Sequence, residues 1–167
     1  MRLKVLSGVL VGFILTLLYS VDGLHVNAFA ASPPIKGVEF VGNHDGDTFN
    51  VNIQGLPPVF GHKVPVRVRH IDTAELNARG YCERAMARLA KDRVYHLLSK
   101  AKQIDLENVS RGSFFRLLAD VIITTDKNTT ISLSDHLLKV GYAAPYKGGG
   151  KPKTNWCLYR KKLLQNK

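Results

Sequence analysis

Val66-Arg67-Val68-Arg69-His70-Ile71-Asp72-Thr73-Ala74-Glu75 reads as a β-strand running into a short acidic loop. Val64, Val66 and Val68 recur at period two and so point to one face, while Arg67 points to the other. Two carboxylates, Asp72 and Glu75, follow the strand at once. A guanidinium beside paired carboxylates at the end of a buried strand suits a site for a phosphate or a metal ion.

The partners of this stretch lie on both sides of it. Upstream, Asp45-Gly46-Asp47-Thr48 is an acidic turn, in which Gly46 is free to take a positive φ. Downstream, Phe114-Phe115-Arg116-Leu117-Leu118-Ala119-Asp120 brings a second arginine on a strand. Phe115, Leu117, Ala119, Val121 and Ile123 alternate, which leaves Arg116 on the opposite face with Asp120 to pair or position it.

The remaining elements follow from periodicity. Gly37–Val41 reads as a first strand, and Phe49, Val51 and Ile53 mark a second. With the Val64–Ile71 strand these form an antiparallel meander. Gly80–Lys102 reads as one helix, its apolar stripe formed by Cys82, Met86, Leu89, Ala90, Leu97, Leu98 and Ala101. Arg84, Arg88, Lys91 and Arg93 lie mostly off that stripe. Ile104 and Leu106 open a further strand. Ser134 is a candidate N-cap for a helix over Asp135–Val140, stopped by Gly141. Residues 142–153, rich in Gly, Lys and Pro, read as a mobile stretch, and Trp156–Leu164 reads as a last short helix with Trp156 turned inward. This is an α+β chain, mainly β. Five strands with a helix after the third match the OB-fold, a partly open barrel.

The 167 residues fit one domain with one core, and the net charge is +11. Residues 1–30 hold only Arg2, Lys4 and Asp22, so residues 31–167 keep 22 basic against 12 acidic side chains, a charge of +10. The positive field therefore belongs to the domain and attracts polyanions. Met1-Arg2-Leu3-Lys4, the apolar run Val5–Val21 and the small-x-small site Ala28-Phe29-Ala30 form a signal-peptide pattern, with an uncleaved anchor as the alternative. Either way the single domain at 31–167 is expected to be exported, either secreted or periplasmic. In an oxidising compartment Cys82 and Cys157 are a disulfide candidate, two separate buried thiols being the other reading.

DGDT, then R-x4-DT-x-E, then the R-L-L-A-D strand and a helix ending at Gly141, resemble the staphylococcal nuclease family from about Ile35 to Cys157. The resemblance implies the same OB-fold and an endonuclease that cuts DNA and RNA with low sequence preference, leaving 3′-phosphates. It places Ca²⁺ on Asp47, Asp72 and the carbonyl of Thr73, with Asp45 just outside the ligand set. It makes Arg67 and Arg116 the phosphate contacts and Glu75 the general base. Phe114 and Tyr146 are candidate base-stacking rings, and equally candidate packing residues. No stable protein partner is implied, so a monomer is expected. Two departures stand out: Ala74 replaces the usual proline, and Phe115 replaces the usual glycine before the arginine. The competing reading is an exported OB-type module that binds nucleic acid without turnover.

Overall fold

The computed structural model describes residues 32–150 and 154–165. The signal segment expected at 1–30 lies outside them. The chain runs β1 (Glu39–Asn43), β2 (Thr48–Asn52), α1 (Pro58–Gly61), β3 (Val64–Val68), β4 (Ile71–Thr73), α2 (Tyr81–Ser99), β5 (Gln103–Arg111) and β6 (Leu117–Thr124). It ends with β7 (Thr130–Ser132), α3 (Leu133–Val140), β8 (Ala143–Pro145) and α4 (Trp156–Gln165). The main sheet follows the order β1-β2-β3-β6-β5, with β7 added to β6, and β4 pairs separately with β8.

The first three strands form the expected antiparallel meander. β3 then pairs with β6 in parallel, Val66 opposite Leu117, and β5 and β6 are antiparallel. The two ends of this path meet only near its start, where Ile35 N donates to Leu106 O at 2.9 Å and Val38 N to Ile104 O at 2.9 Å. The result is a curled, incompletely closed sheet of the OB type. Its interior is filled by alternate residues of the strands, among them Phe49, Val51, Val66, Val68, Leu106, Ala119, Val121 and Ile123. Val94 and Leu98 of α2 and Leu133 and Leu137 of α3 cap that core. Each of the Phe, Val, Leu and Ile side chains contributes roughly 1.5–3 kcal/mol on burial.

Several expectations change. The Val64–Ile71 run is two strands, because His70 takes φ 65 and turns the chain out of the sheet. The helix therefore follows β4 and spans Tyr81–Ser99. Its buried stripe is Met86, Ala87, Ala90, Val94 and Leu98, with Leu89 turned outward. Phe115 is not a strand residue, since Phe114 and Phe115 both sit at φ 58 in the loop before β6. α3 begins two residues earlier than expected, with Ser132 rather than Ser134 as its cap, the Ser132 hydroxyl accepting from Asp135 N at 3.3 Å. It ends as expected on Gly141 at φ 74, the left-handed position that glycine takes without strain. Part of the stretch expected to be mobile is β8, whose pairing with β4 gives Ala143–Pro145 a fixed place.

A smaller apolar cluster lies beside the acidic loop. Ala74, Met86, Ala87, Ala144 and Trp156 are buried together, with Leu76, Tyr142, Cys157 and Tyr159 around them. Cys82 and Cys157 are joined as a disulfide, Cα–Cα 6.3 Å, which ties the start of α2 to α4 across 75 residues of sequence. A loop of that length stabilises by about 4 kcal/mol in the chain-entropy account. The end of β4 and the loop after it, Asp72 to Glu75, are thus backed by packed side chains around Ala74.

Candidate active site

The acidic turn is built by its own side chain. Asp45 Oδ1 accepts from the backbone N–H of Asp47 at 2.9 Å and of Thr48 at 2.7 Å. That closes the turn and aims Asp47 inward, where it is 2 % exposed. Gly46 does not use a positive φ. A Cβ on it would lie 2.7 Å from Ala90 Cβ and 3.0 Å from Thr73 Cγ2, so glycine is required by close approach to α2 and β4. The β2–β3 register sets Thr48 opposite Arg67. Val68 N donates to Asp47 O at 2.9 Å, which locks the turn to β3.

Asp47 is the centre of the arrangement. Its Oδ1 accepts from the Thr48 hydroxyl at 3.0 Å and pairs with Arg67 Nη1. Its Oδ2 accepts from Thr73 N at 3.0 Å and the Thr73 hydroxyl at 3.1 Å. Arg67 Nη2 reaches Asp72 Oδ1 at 3.2 Å and the Ile71 carbonyl at 3.4 Å. Both carboxylates are nearly inaccessible, and the guanidinium between them lies 5.8 Å from the centroid of the Tyr146 ring. Burial pushes the Asp47 carboxyl up to about 6, with Asp45 and Asp72 adding to the rise and Arg67 and the Thr48 hydroxyl opposing it. Two carboxylates buried side by side need a cation or a proton between them. Arg67 supplies that positive charge.

The donor set fits a hard divalent ion. Carboxylate oxygens of Asp47 and Asp72 converge on one cationic group, and Ca²⁺ takes such oxygens together with backbone carbonyls and water. Among the described residues no three His, Cys, Asp or Glu side chains gather as a ligand group. A cation here would therefore draw on these two carboxylates and water, and would take over Arg67's place against the carboxylates.

The other expected residues are placed less centrally. Glu75 is exposed on the loop after β4, where its carbonyl accepts from Ala78 N at 3.2 Å. Arg116, expected on a strand, lies in the loop just before β6, two positions ahead of Leu118, the partner of Arg67 on the parallel strand. Its guanidinium is held by its own turn, Nε donating to Ser113 O at 3.3 Å and Cζ lying 5.6 Å from the Phe114 centroid. Asp120 faces elsewhere. It accepts from Asn108 Nδ2 at 2.7 Å and lies 3.7 Å from His70 Nε2, because the bulge at Asn108 brings β5 over it. Tyr146 donates its N–H to His70 O at 2.9 Å and borders a cleft of about 130 Å³ with Arg67, Arg69, His70, Leu118 and Lys147.

Four contributors escape the sequence reading. The hydroxyls of Thr48 and Thr73 bind Asp47, and Arg69 and Lys147 add positive charge to the cleft. Thr48 and Thr73 are within the quoted motifs, so their position beside the acids was a usable signal. Lys147 gave none, because only the β4–β8 pairing brings it near Arg67.

A family model described as staphylococcal nuclease homologue matches residues 65–163, more than half of the chain. No curated protein matches it.

Proposed function

The chain belongs to the staphylococcal nuclease family, and from that premise we propose that it is an exported, Ca²⁺-dependent endonuclease. It hydrolyses phosphodiester bonds of DNA and RNA with low sequence preference and leaves 3′-phosphates. The observation that carries this reading is the convergence of two buried carboxylates, Asp47 and Asp72, on one cationic position. A basic domain and a nearby second arginine supply the attraction and the clamp that a phosphodiester needs.

The roles are those that the family resemblance implies. Asp47, Asp72 and the Thr73 carbonyl would hold the Ca²⁺, which when bound would offset phosphate charge and polarise water. Arg67, once off the carboxylates, and Arg116 present planar donors to the phosphate oxygens and bind more strongly as charge accumulates there. Glu75, exposed on its loop, takes a proton from the attacking water. The water oxygen bonds to phosphorus as the P–O5′ bond breaks, and the leaving 5′-oxygen acquires a proton. The product strand keeps its phosphate on the 3′ side. Export rests on the pattern of residues 1–30, and the domain is taken to act as a monomer.

Plasmid nicking by the wild type and by Glu75→Gln, each with Ca²⁺ and with excess chelator, tests the proposal. Nicking by the wild type with Ca²⁺ alone is expected. Equal nicking in chelator would defeat the calcium dependence, and equal nicking by Glu75→Gln would remove Glu75 from its role. DNA retention without nicking under every condition would instead assign a binding module.

A further inference from the structure

The loop Gly112-Ser113-Phe114-Phe115-Arg116 joins β5 to β6. Its two aromatic side chains are 86 % and 85 % exposed, and both residues adopt φ 58. Left-handed backbone is an outlier for a bulky residue, and two in succession are held there by the turn. Gly112 N donates to Arg116 O at 2.7 Å, and Arg116 N to Ser113 O at 3.3 Å. Exposure and strain both work against stability, and their coincidence at one loop tip is the mark of a surface kept for a ligand.

The surroundings indicate which ligand. Arg111 and Arg116 flank the tip, and the five residues Gly112 to Arg116 contain no acid. The parallel pairing of Val66 with Leu117 sets the loop beside β3, two positions from the residue opposite Arg67. One face of the Phe114 ring is already taken by the Arg116 guanidinium. A chain with phosphates on Arg67 and Arg116 would carry its bases past these rings.

We infer that Phe115, together with Phe114, is a base-stacking platform for the nucleotide next to the phosphate held by Arg116. The inference rests on the nuclease reading and adds to it a binding residue and a mode of contact. A π-face accepts any base, so the platform increases affinity without sequence preference. An anionic lipid surface would use the same rings and is the competing occupant.

The test is Phe115→Gly, chosen because glycine takes φ 58 freely. It is made in the Glu75→Gln chain with Ca²⁺, and a fluorescent oligothymidylate is the probe. Affinity should fall about five- to a hundredfold, the equivalent of one stacked base. The slope of log affinity against log salt should stay the same, because no phosphate contact is lost. Tm should rise by a few degrees as the strain is removed. Phe115→Trp should keep the affinity. A purely structural ring would move stability and affinity the same way. Unchanged oligonucleotide affinity in Phe115→Gly would overturn the inference and leave the nuclease reading standing. The same holds if only binding to phosphatidylglycerol vesicles is lost. No oligonucleotide binding by the parent would overturn both.

Discussion

Gly46→Ala should damage this protein out of proportion to one methyl group. The added Cβ would sit 2.7 Å from Ala90 Cβ, 3.0 Å from Thr73 Cγ2 and 3.1 Å from Thr73 Cβ. Carbon atoms in contact prefer about 3.5–4.0 Å, so the turn must lift by up to about 1 Å. Ala90 cannot yield, because it is fully buried on a helix pinned by Val94 and Leu98. Lifting the turn stretches the bonds from Thr73 N and Oγ1 to Asp47 Oδ2, now 3.0 and 3.1 Å. Overpacking alone costs about 1–3 kcal/mol, and hydrogen bonds to a charged group about 1.5–3 kcal/mol each. A net loss of about 2–4 kcal/mol is expected after partial relaxation. For a domain of this size that lowers Tm by roughly 6–15 °C. Calcium affinity should fall as well, because Asp47 rides on the same turn. Thermal melts of the wild type, Gly46→Ala, Ala90→Gly and the double variant form the assay. Removing the Ala90 methyl should recover about 1 kcal/mol or more beyond additivity. A Gly46→Ala melt within about 2 °C of wild type, or strict additivity, would refute the close-approach argument.

Arg116→Ala should lower kcat by at least ~10²-fold with little change in Tm, since its contacts are confined to an exposed loop; a kcat near wild type would remove it from the phosphate site. Replacing both Cys82 and Cys157 by serine should cost about 2–5 kcal/mol and loosen α4 first, which hydrogen exchange along Trp156–Gln165 would register. Equal protection of that helix in both proteins would speak against its being tied by the disulfide. His136 accepts a hydrogen bond from Arg93 Nε at 2.9 Å, and burial, with Arg93 and Lys139, holds its pKa below the ordinary 6.5. The native state then binds fewer protons than the unfolded chain below that pH, so stability falls as the solution is acidified through this range. His136→Gln keeps an acceptor and cannot titrate, so wild type should lose Tm relative to it between about pH 7 and about pH 5. A constant difference would show that His136 does not titrate differently on folding.

What the sequence determined by itself is local and periodic. Period-two apolar residues placed Phe49–Val51, Val64–Val68 and Ala119–Ile123 on strands, and the hydrophobic stripe placed α2, because these patterns are the direct imprint of one buried face. DGDT and the R-x4-DT-x-E run carried the acids and Arg67, while the two cysteines offered a disulfide that only the fold, by bringing α4 to the start of α2, made a bond. Tertiary structure decided whatever depends on where distant backbones meet. The left-handed turn at His70 divides one apolar run into two strands, and nothing in the valine spacing announces it. β8, Ala143–Pro145, exists because β4 offers it a partner, and three residues of Ala and Pro carry no strand signal of their own. Gly46 is glycine for want of room beside Ala90, a residue far away in sequence, and not for its backbone freedom. The same holds for the site: both carboxylates were legible, but their common grip on Arg67 arises only where β2, β3 and β4 converge. Side-chain chemistry is written residue by residue, whereas the distances that make it a site are set by packing across the sheet.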